Sequence, residues 1–583
     1  MTGMHLPLRL VLATFGWVIV LLHVLGLIFP SGVNWGFHHL AFLPPVVSVP
    51  IIILMVAALV PQVQEQIFTF ANRVLGTRKG ILWTAIVAVS GLFFWLLRQQ
   101  TFFLGDGYLV IRNLSLVRSV EDIPAPFPTA PLSAYLAYHV RELLGVLHLE
   151  PAARLAWQIQ SMMCGLVAIP LTVGLARTLT HDRPSKWPVA LFLLAGGALQ
   201  LFFGYVETYP PAYVTTILFL WLSLRYLKGE GSFLFPLLSF GLLFTFHFGM
   251  LSLVPAVCVL LVVELRKRKV ASAAAALAAT LLFVPAVLWI CGYTPRTFLS
   301  VVTSGGSYFL PLAVHDNWQA AYSLISLWHW VDLFNAYMLL SPFAFILVPF
   351  GLMAALRPDT RGKPETIFLG LGLLGAVAWT FMTNFEVGMS RDWDVIAPLS
   401  VCVLAFAVLG LFVDDRRHVL VVGMALVTLL HTAAWIAVNS DENRSIARYA
   451  MLQDSRVRSQ RAIAYACEDL AGFYRDRKQY AEALPFMEKT VAIDSTNARR
   501  WLSLANVYQL DHREGDAIHA YEESIHYGIH DKAAFFNLGV LYYNHHRPDD
   551  AVTALTRASA LDPADTLVSS TLRLMESKKA EER

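Results

Sequence analysis

Charge is scarce in this sequence: Lys, Arg, Asp and Glu make up 15% of its 583 residues, where a soluble globular domain carries roughly 25%. That shortage argues against an ordinary cytosolic enzyme. Cysteine is sparse too, with Cys164, Cys258, Cys291 and Cys402 lying singly in apolar runs and Cys467 in a polar tail. No CxxC or regular spacing joins them, so neither a zinc site nor a disulfide framework is indicated. Long blocks of one charge sign are missing as well. Residues 1–439 carry 25 basic and 19 acidic side chains and residues 440–583 carry 19 and 22, a balance that gives neither half the character of a nucleic-acid binder.

Long hydrophobic runs are what the chain has instead. Apolar residues reach 56% overall, while the last 144 residues hold 41 of the 85 charges, so the chain divides into a part suited to lipid and a part suited to water. The first run, Leu10 to Phe29, follows Arg9 and is long for a signal-peptide core, which makes it a retained first span. A helix needs about 20 apolar residues to cross the hydrocarbon core. By that measure 13 spans are expected, near 9–29, 40–61, 81–97, 154–176, 187–206, 210–226, 232–248, 250–264, 270–291, 333–356, 366–383, 395–413 and 418–438. The stretch 232–264 is split at His247, because one helix of that length would overshoot the bilayer.

Basic residues should collect in alternate, cytoplasmic loops. With the N-terminus inside, 18 of the 25 basic residues of the first part fall on that side. This arrangement puts the loops 98–153, 203–210, 292–332 and 384–394, together with the tail, on the outer side. The expected organisation is all-α. Two helices and a cytoplasmic loop (1–80) precede a transmembrane bundle (81–439), a linker (440–460) and a soluble repeat domain (461–583).

The tail aligns with itself at a shift of 34: Cys467/Leu470/Ala471/Tyr474, Trp501/Leu504/Ala505/Tyr508 and Phe535/Leu538/Gly539/Tyr542. The period and the small and large positions resemble the tetratricopeptide repeat (TPR), an α-solenoid. Three units near 464–497, 498–531 and 532–565 are expected, followed by a terminal helix. Such repeats present a groove for a protein or peptide, with Asn506 and Asn537 at equivalent positions; equally, three repeats could brace the membrane part.

Ionisable groups at a membrane edge tend to mark function, and the outer side has few of them. Asp106 lies between Gly105 and Gly107 at the head of the 98–153 loop, where it could be a general base or simple turn chemistry. Glu207 sits among aromatics in a short turn, and Arg391-Asp392-Trp393-Asp394 lies between two spans. Two carboxylates beside an arginine could bind a metal, orient a sugar or clamp a phosphate, although Arg391 and Asp392 could also neutralise each other. His315 in the 292–332 loop and His247 at its helix break complete the candidate substrate-binding set.

A polytopic chain with a long first outer loop opening on an acidic residue, further charges in short outer loops and a soluble tail on the same face resembles the C-type glycosyltransferase (GT-C) superfamily. Its layout is similar to that of transmembrane O-mannosyltransferases that carry TPR tails. The resemblance covers roughly 81–438 and matches Asp106 to the family's first-loop carboxylate. Three spans precede Asp106 where the family typically has one, and a single Asp stands where many members have two adjacent acids. The resemblance implies transfer of a sugar from a polyprenyl-phosphate lipid to an acceptor on the non-cytoplasmic face. Asp106 would take the acceptor proton and Arg391, with His315, would stabilise the departing phosphate; Glu207 and Asp394 would hold sugar hydroxyls. No cofactor is indicated. The expected setting is a multi-pass protein of a bacterial inner membrane with a cytoplasmic N-terminus and a periplasmic tail. Two rivals come from other classes: a non-enzymatic envelope scaffold acting through its repeats, and a polytopic transporter or lipid flippase.

Overall fold

Proline and glycine divide the apolar runs before length alone can make them spans. The computed structural model describes residues 5–76, 79–181, 186–303, 309–313, 321–411 and 418–581. Apart from an isolated bridge between Phe309 and Thr383, the regular structure among them is helical. The main division between two compact units falls between Val457 and Arg458.

The first unit begins with α1 (His5–Ile28), α2 (Pro45–Ala58), α3 (Pro61–Gly76), α4 (Lys79–Leu96), α5 (Gly107–Leu116) and α6 (Pro131–Val146). It continues through α7 (Ala152–Thr180), α8 (Lys186–Ala195), α9 (Tyr209–Leu227), α10 (Leu234–Phe246), α11 (Val254–Arg266), α12 (Val270–Ile290) and α13 (Pro295–Thr303). It ends with α14 (Leu327–Leu340), α15 (Ala344–Ala355), α16 (Pro364–Met382), α17 (Trp393–Val408), α18 (His418–Asn439) and α19 (Glu442–Met451).

Among the described residues seven helices are long and apolar enough to cross a membrane, or up to nine if each of two bent pairs is one span. The expectation of 13 is therefore not met, and the reason is local. Windowed hydropathy registers composition but not breaks. The 40–61 run is cut between Ala58 and Pro61, with a bend of 86°, and the 333–356 run between Leu340 and Ala344, with a bend of 87°. The 187–206 run stops as an α-helix at Ala195 before Gly196-Gly197 and continues as a 3-10 turn, Gly197–Phe202. In α9, Tyr209, Tyr213, Thr215, Thr216, Ser223 and Arg225 dilute the apolar content. The chain does break at His247, whose backbone is extended (φ −159°, ψ 123°).

Helix ends inside an apolar unit leave carbonyls that need donors. One dipeptide on α18 serves two of them: Thr432 Oγ1 donates to the Ala195 carbonyl at 2.6 Å, and His431 Nε2 to the Leu339 carbonyl at 3.0 Å. The enclosed helix α17 packs against α9, α15 and α16. Its N-terminus carries the residues described in the next subsection.

The second unit consists of paired helices, α20 (Gln460–Asp476) with α21 (Tyr480–Ile493), α22 (Ala498–Leu510) with α23 (Glu514–His526), and α24 (Lys532–Asn544) with α25 (Pro548–Leu561), followed by α26 (Thr566–Glu581). The sequence period reappears in the backbone. Left-handed residues end each first helix at Lys478, His512 and His546. In each case the next residue's N–H closes back five positions, Gln479 to Tyr474, Arg513 to Tyr508 and Arg547 to Tyr542, a Schellman closure. Ala471, Ala505, Ala483, Ala517 and Ala551 are fully buried between helices, beside Leu470, Leu504 and Leu538. The small residues admit close approach and the leucines fill the space between pairs. The unit is a three-repeat TPR-like solenoid.

Candidate functional site

Three segments distant in sequence meet at the turn Gly105-Asp106. Gly105 has φ +64°, and a Cβ there would stand 2.8 Å from both Asp394 Oδ2 and Glu207 Oε1, so only glycine fits this backbone so close to two carboxylates. The Asp106 N–H donates to Glu207 Oε1, and the Thr208 N–H donates to Glu207 Oε2 at 3.1 Å. Asp394 Oδ2 accepts from the Tyr205 hydroxyl at 3.1 Å, and Asp394 Oδ1 from the Val395 N–H at 3.1 Å. Glu207 is 5% exposed and Asp394 1%. Burial, and after it the charge of Asp106, raises the Glu207 carboxyl above the ordinary carboxylate range.

Arg391 is clasped to the same turn from both sides. Its carbonyl accepts the Gly105 N–H at 2.9 Å, and its Nε donates to the Gly105 carbonyl at 2.8 Å. A tight turn presents it: Gly388, at φ +92°, accepts at its carbonyl the N–H groups of Arg391 (2.9 Å) and Asp392 (3.0 Å). One Arg391 nitrogen lies 3.8 Å from Asp106 Oδ1; the arginine side chain is 5% exposed and that of Asp106 46%. Asp106 is thus the open member of the group, standing over two enclosed carboxylates and beside an enclosed guanidinium. It occupies the N-cap position of α5, yet its side chain makes no capping bond, so the turn alone does not account for the carboxylate.

The other expected residues divide. Asp392, at the N-cap position of α17 and half-buried, adds its charge to that felt by Glu207. His247 is buried, accepts the Gly249 N–H at Nδ1 (3.1 Å) and lies against the Tyr209 ring with centroids 4.8 Å apart. Its segment is tied to the Glu207 turn through Ser133, whose hydroxyl donates to the carbonyls of Thr208 (2.8 Å) and Phe246 (3.3 Å). His315 lies outside the described residues. Among the described residues no group of three or more His, Cys, Asp and Glu side chains is placed to hold a metal ion.

Two residues of the cluster escaped the sequence reading. Tyr205 belongs to an aromatic run that reads as an interfacial belt. Tyr449, whose hydroxyl accepts from Arg391, falls in 440–460, expected as a linker, where α19 instead buries Ser445, Arg448 and Tyr449. Two of those three side chains are polar, so no apolar periodicity announces the buried face.

No protein-family model matches the chain, and no curated protein matches it in sequence. Solved structures similar to part of it have TPR domains among them. They include the first TPR domain of the human RPAP3 protein (17% identity, 20% of this chain and 94% of that one, TM-score 0.19) and the Arabidopsis OM64 TPR domain (13%, 20% and 94%, 0.19). Another is the Yersinia enterocolitica type III secretion chaperone SycD in complex with a peptide of the translocator YopD (21%, 20% and 93%, 0.19). The repeat fold of the tail rests on the chain's own 34-residue recurrence in sequence and backbone.

Proposed function

We propose that the first unit is an integral-membrane glycosyltransferase that moves a sugar from a polyprenyl-phosphate donor to an acceptor hydroxyl on the non-cytoplasmic face. The observation that carries this reading is the convergence of Asp106, Glu207, Arg391 and Asp394 on one turn, with Asp106 exposed and the others enclosed. In the reaction the acceptor oxygen attacks the anomeric carbon while its proton passes to Asp106. The bond from that carbon to the phosphate oxygen breaks with inversion, and the polyprenyl phosphate leaves with the electron pair. Arg391, beside Asp106, offsets the charge that develops on the phosphate, an interaction strengthened by its enclosure. Glu207 and Asp394, each already holding a backbone N–H, brace the turn from beneath, and Asp392 and His247 flank it. His315 retains its proposed place beside the phosphate. The second unit binds a protein or peptide partner or the acceptor. The setting proposed with it is a bacterial inner membrane with the tail outside.

The test is transfer from a panel of polyprenyl-phosphate sugars by the purified chain in nanodiscs. Asp106→Asn should lower turnover about 100-fold or more, in the range of a lost general base. Full activity in both Asp106→Asn and Arg391→Ala would sink the scheme.

A further inference from the structure

The helix that follows the last apolar span touches the candidate site at its least expected point. Residues 99–103 carry the chain from α4 toward Gly105, and α19 holds this segment at two places. Ser445 Oγ and Thr101 Oγ1 share a hydrogen bond of 2.5 Å. The Tyr449 ring stacks on Phe103, with centroids 4.7 Å apart and planes at 17°. Ser445 and Tyr449 are four residues apart, on one face of the helix, and both are buried. The Gln100 N–H adds a third tie, to the carbonyl of Asn439 at the end of α18 (3.1 Å).

Tyr449 has a second partner. Its hydroxyl accepts a hydrogen bond from an Arg391 terminal nitrogen at 2.8 Å. That guanidinium also donates to the Gly105 carbonyl and stands beside Asp106. One buried side chain therefore holds both the guanidinium and the segment that leads to the exposed carboxylate. A tyrosine serves both needs because its ring supplies the flat apolar face and its oxygen an acceptor. Phenylalanine would keep the first and lose the second.

We infer that Tyr449 is a positioning residue of the transferase site, fixing Arg391 against the leaving phosphate and the Phe103–Asp106 segment against Arg391. This inference rests on the transferase reading above. Tyr449 itself need not touch substrate; it acts through Arg391. Its loss should therefore appear in the chemical step, where charge develops on the phosphate, more than in ground-state binding.

The experiment is a double-mutant cycle on the full chain in nanodiscs, with steady-state transfer as the readout. Tyr449→Phe should lower kcat about 10-fold or more with KM changed less than about 2-fold, the size of a lost hydrogen bond to a charged group. In an Arg391→Ala background, adding Tyr449→Phe should change kcat less than about 2-fold, because the interaction is already gone. Tyr449→Leu, which also removes the stack, should be worse than Tyr449→Phe; if it does not fold, Tyr449→Phe decides. Wild-type kcat in Tyr449→Phe, or losses that multiply in the double variant, would overturn the inference. If the wild type transfers from no donor, the transferase reading fails separately. Binding of undecaprenyl phosphate, followed by native mass spectrometry, then becomes the readout. This probe is the leaving group itself, with its charge already developed, so weakening by Tyr449→Phe that vanishes in an Arg391→Ala background would still support the positioning role; undiminished binding by Tyr449→Phe, weakening that persists in that background, or no binding by the wild type, would end it.

Discussion

Replacing Gly105 by alanine adds one methyl group to the most crowded point of the candidate site. The left-handed backbone there, φ +64°, costs an L-residue about 1–2 kcal/mol. The new Cβ would also lie 2.8 Å from Asp394 Oδ2 and from Glu207 Oε1, and 3.0 Å from Glu207 Cγ. Those carboxylates are enclosed and already bonded to Tyr205, Val395, Asp106 and Thr208, so moving either stretches a buried hydrogen bond, a loss of about 1–2 kcal/mol. Together the turn should lose about 2–4 kcal/mol, which speeds local amide exchange roughly 30- to 900-fold at 1.36 kcal/mol per decade. Hydrogen exchange over residues 99–110, read by mass spectrometry in nanodiscs, is the assay. Gly145→Ala is the matched control, because a Cβ at Gly145 meets nothing within 4 Å and an alanine inside a helix gains about 0.5–1 kcal/mol. Transfer by Gly105→Ala should fall about 100-fold, as for a reacting group displaced by about 1 Å. Exchange and turnover within 2-fold of wild type would refute the wedge.

Two further outcomes follow from groups already described. Because burial and the Asp106 charge raise the folded-state pKa of Glu207, the folded protein binds that proton more tightly than the unfolded chain. This contribution to stability is full below the ordinary carboxylate pKa and is lost as pH rises through the raised value. Glu207→Gln is neutral at every pH and keeps one of the two acceptor oxygens, so its stability should stay level across the window in which that of the wild type falls; parallel unfolding curves across that window would contradict this. In the repeats, His512 holds φ +60°, so His512→Gly should relieve strain and stabilise the α22–α23 turn by about 0.5–1 kcal/mol, measured as slower exchange of the Arg513 amide.

The tail was legible nearly residue by residue, because its positions are set by close packing between neighbours: a small residue at Ala471, Ala505 and Gly539 and a leucine before each. The candidate site was legible in part. Asp106, Glu207, Arg391 and Asp394 were singled out as rare charges on one expected side of the membrane, and they do meet. Their roles were harder to read, since exposure separates Asp106 from the braced Glu207 and Asp394, and exposure is a property of the fold. Span counting fared worst. A run such as 333–356 is apolar throughout, but its Ser341-Pro342 break turns the chain by 87°, and hydropathy averages straight through it. Tyr449 was hidden for the opposite reason: a polar stretch after the last span reads as linker, although a single short helix buries Ser445, Arg448 and Tyr449 within the first unit.

The His431-Thr432 pair on α18 has a bearing on how the chain is made. The carbonyls it satisfies belong to Ala195 and Leu339, both of which leave the ribosome well before α18. Until α18 arrives, the ends of α8 and α14 must find other donors, in water or in the insertion machinery, because a lone carbonyl in hydrocarbon costs several kcal/mol. Biogenesis of the first unit therefore ends late, with α18 locking earlier segments in place. A ribosome stalled before residue 431 would hold a chain whose α8 and α14 are synthesised but not yet settled.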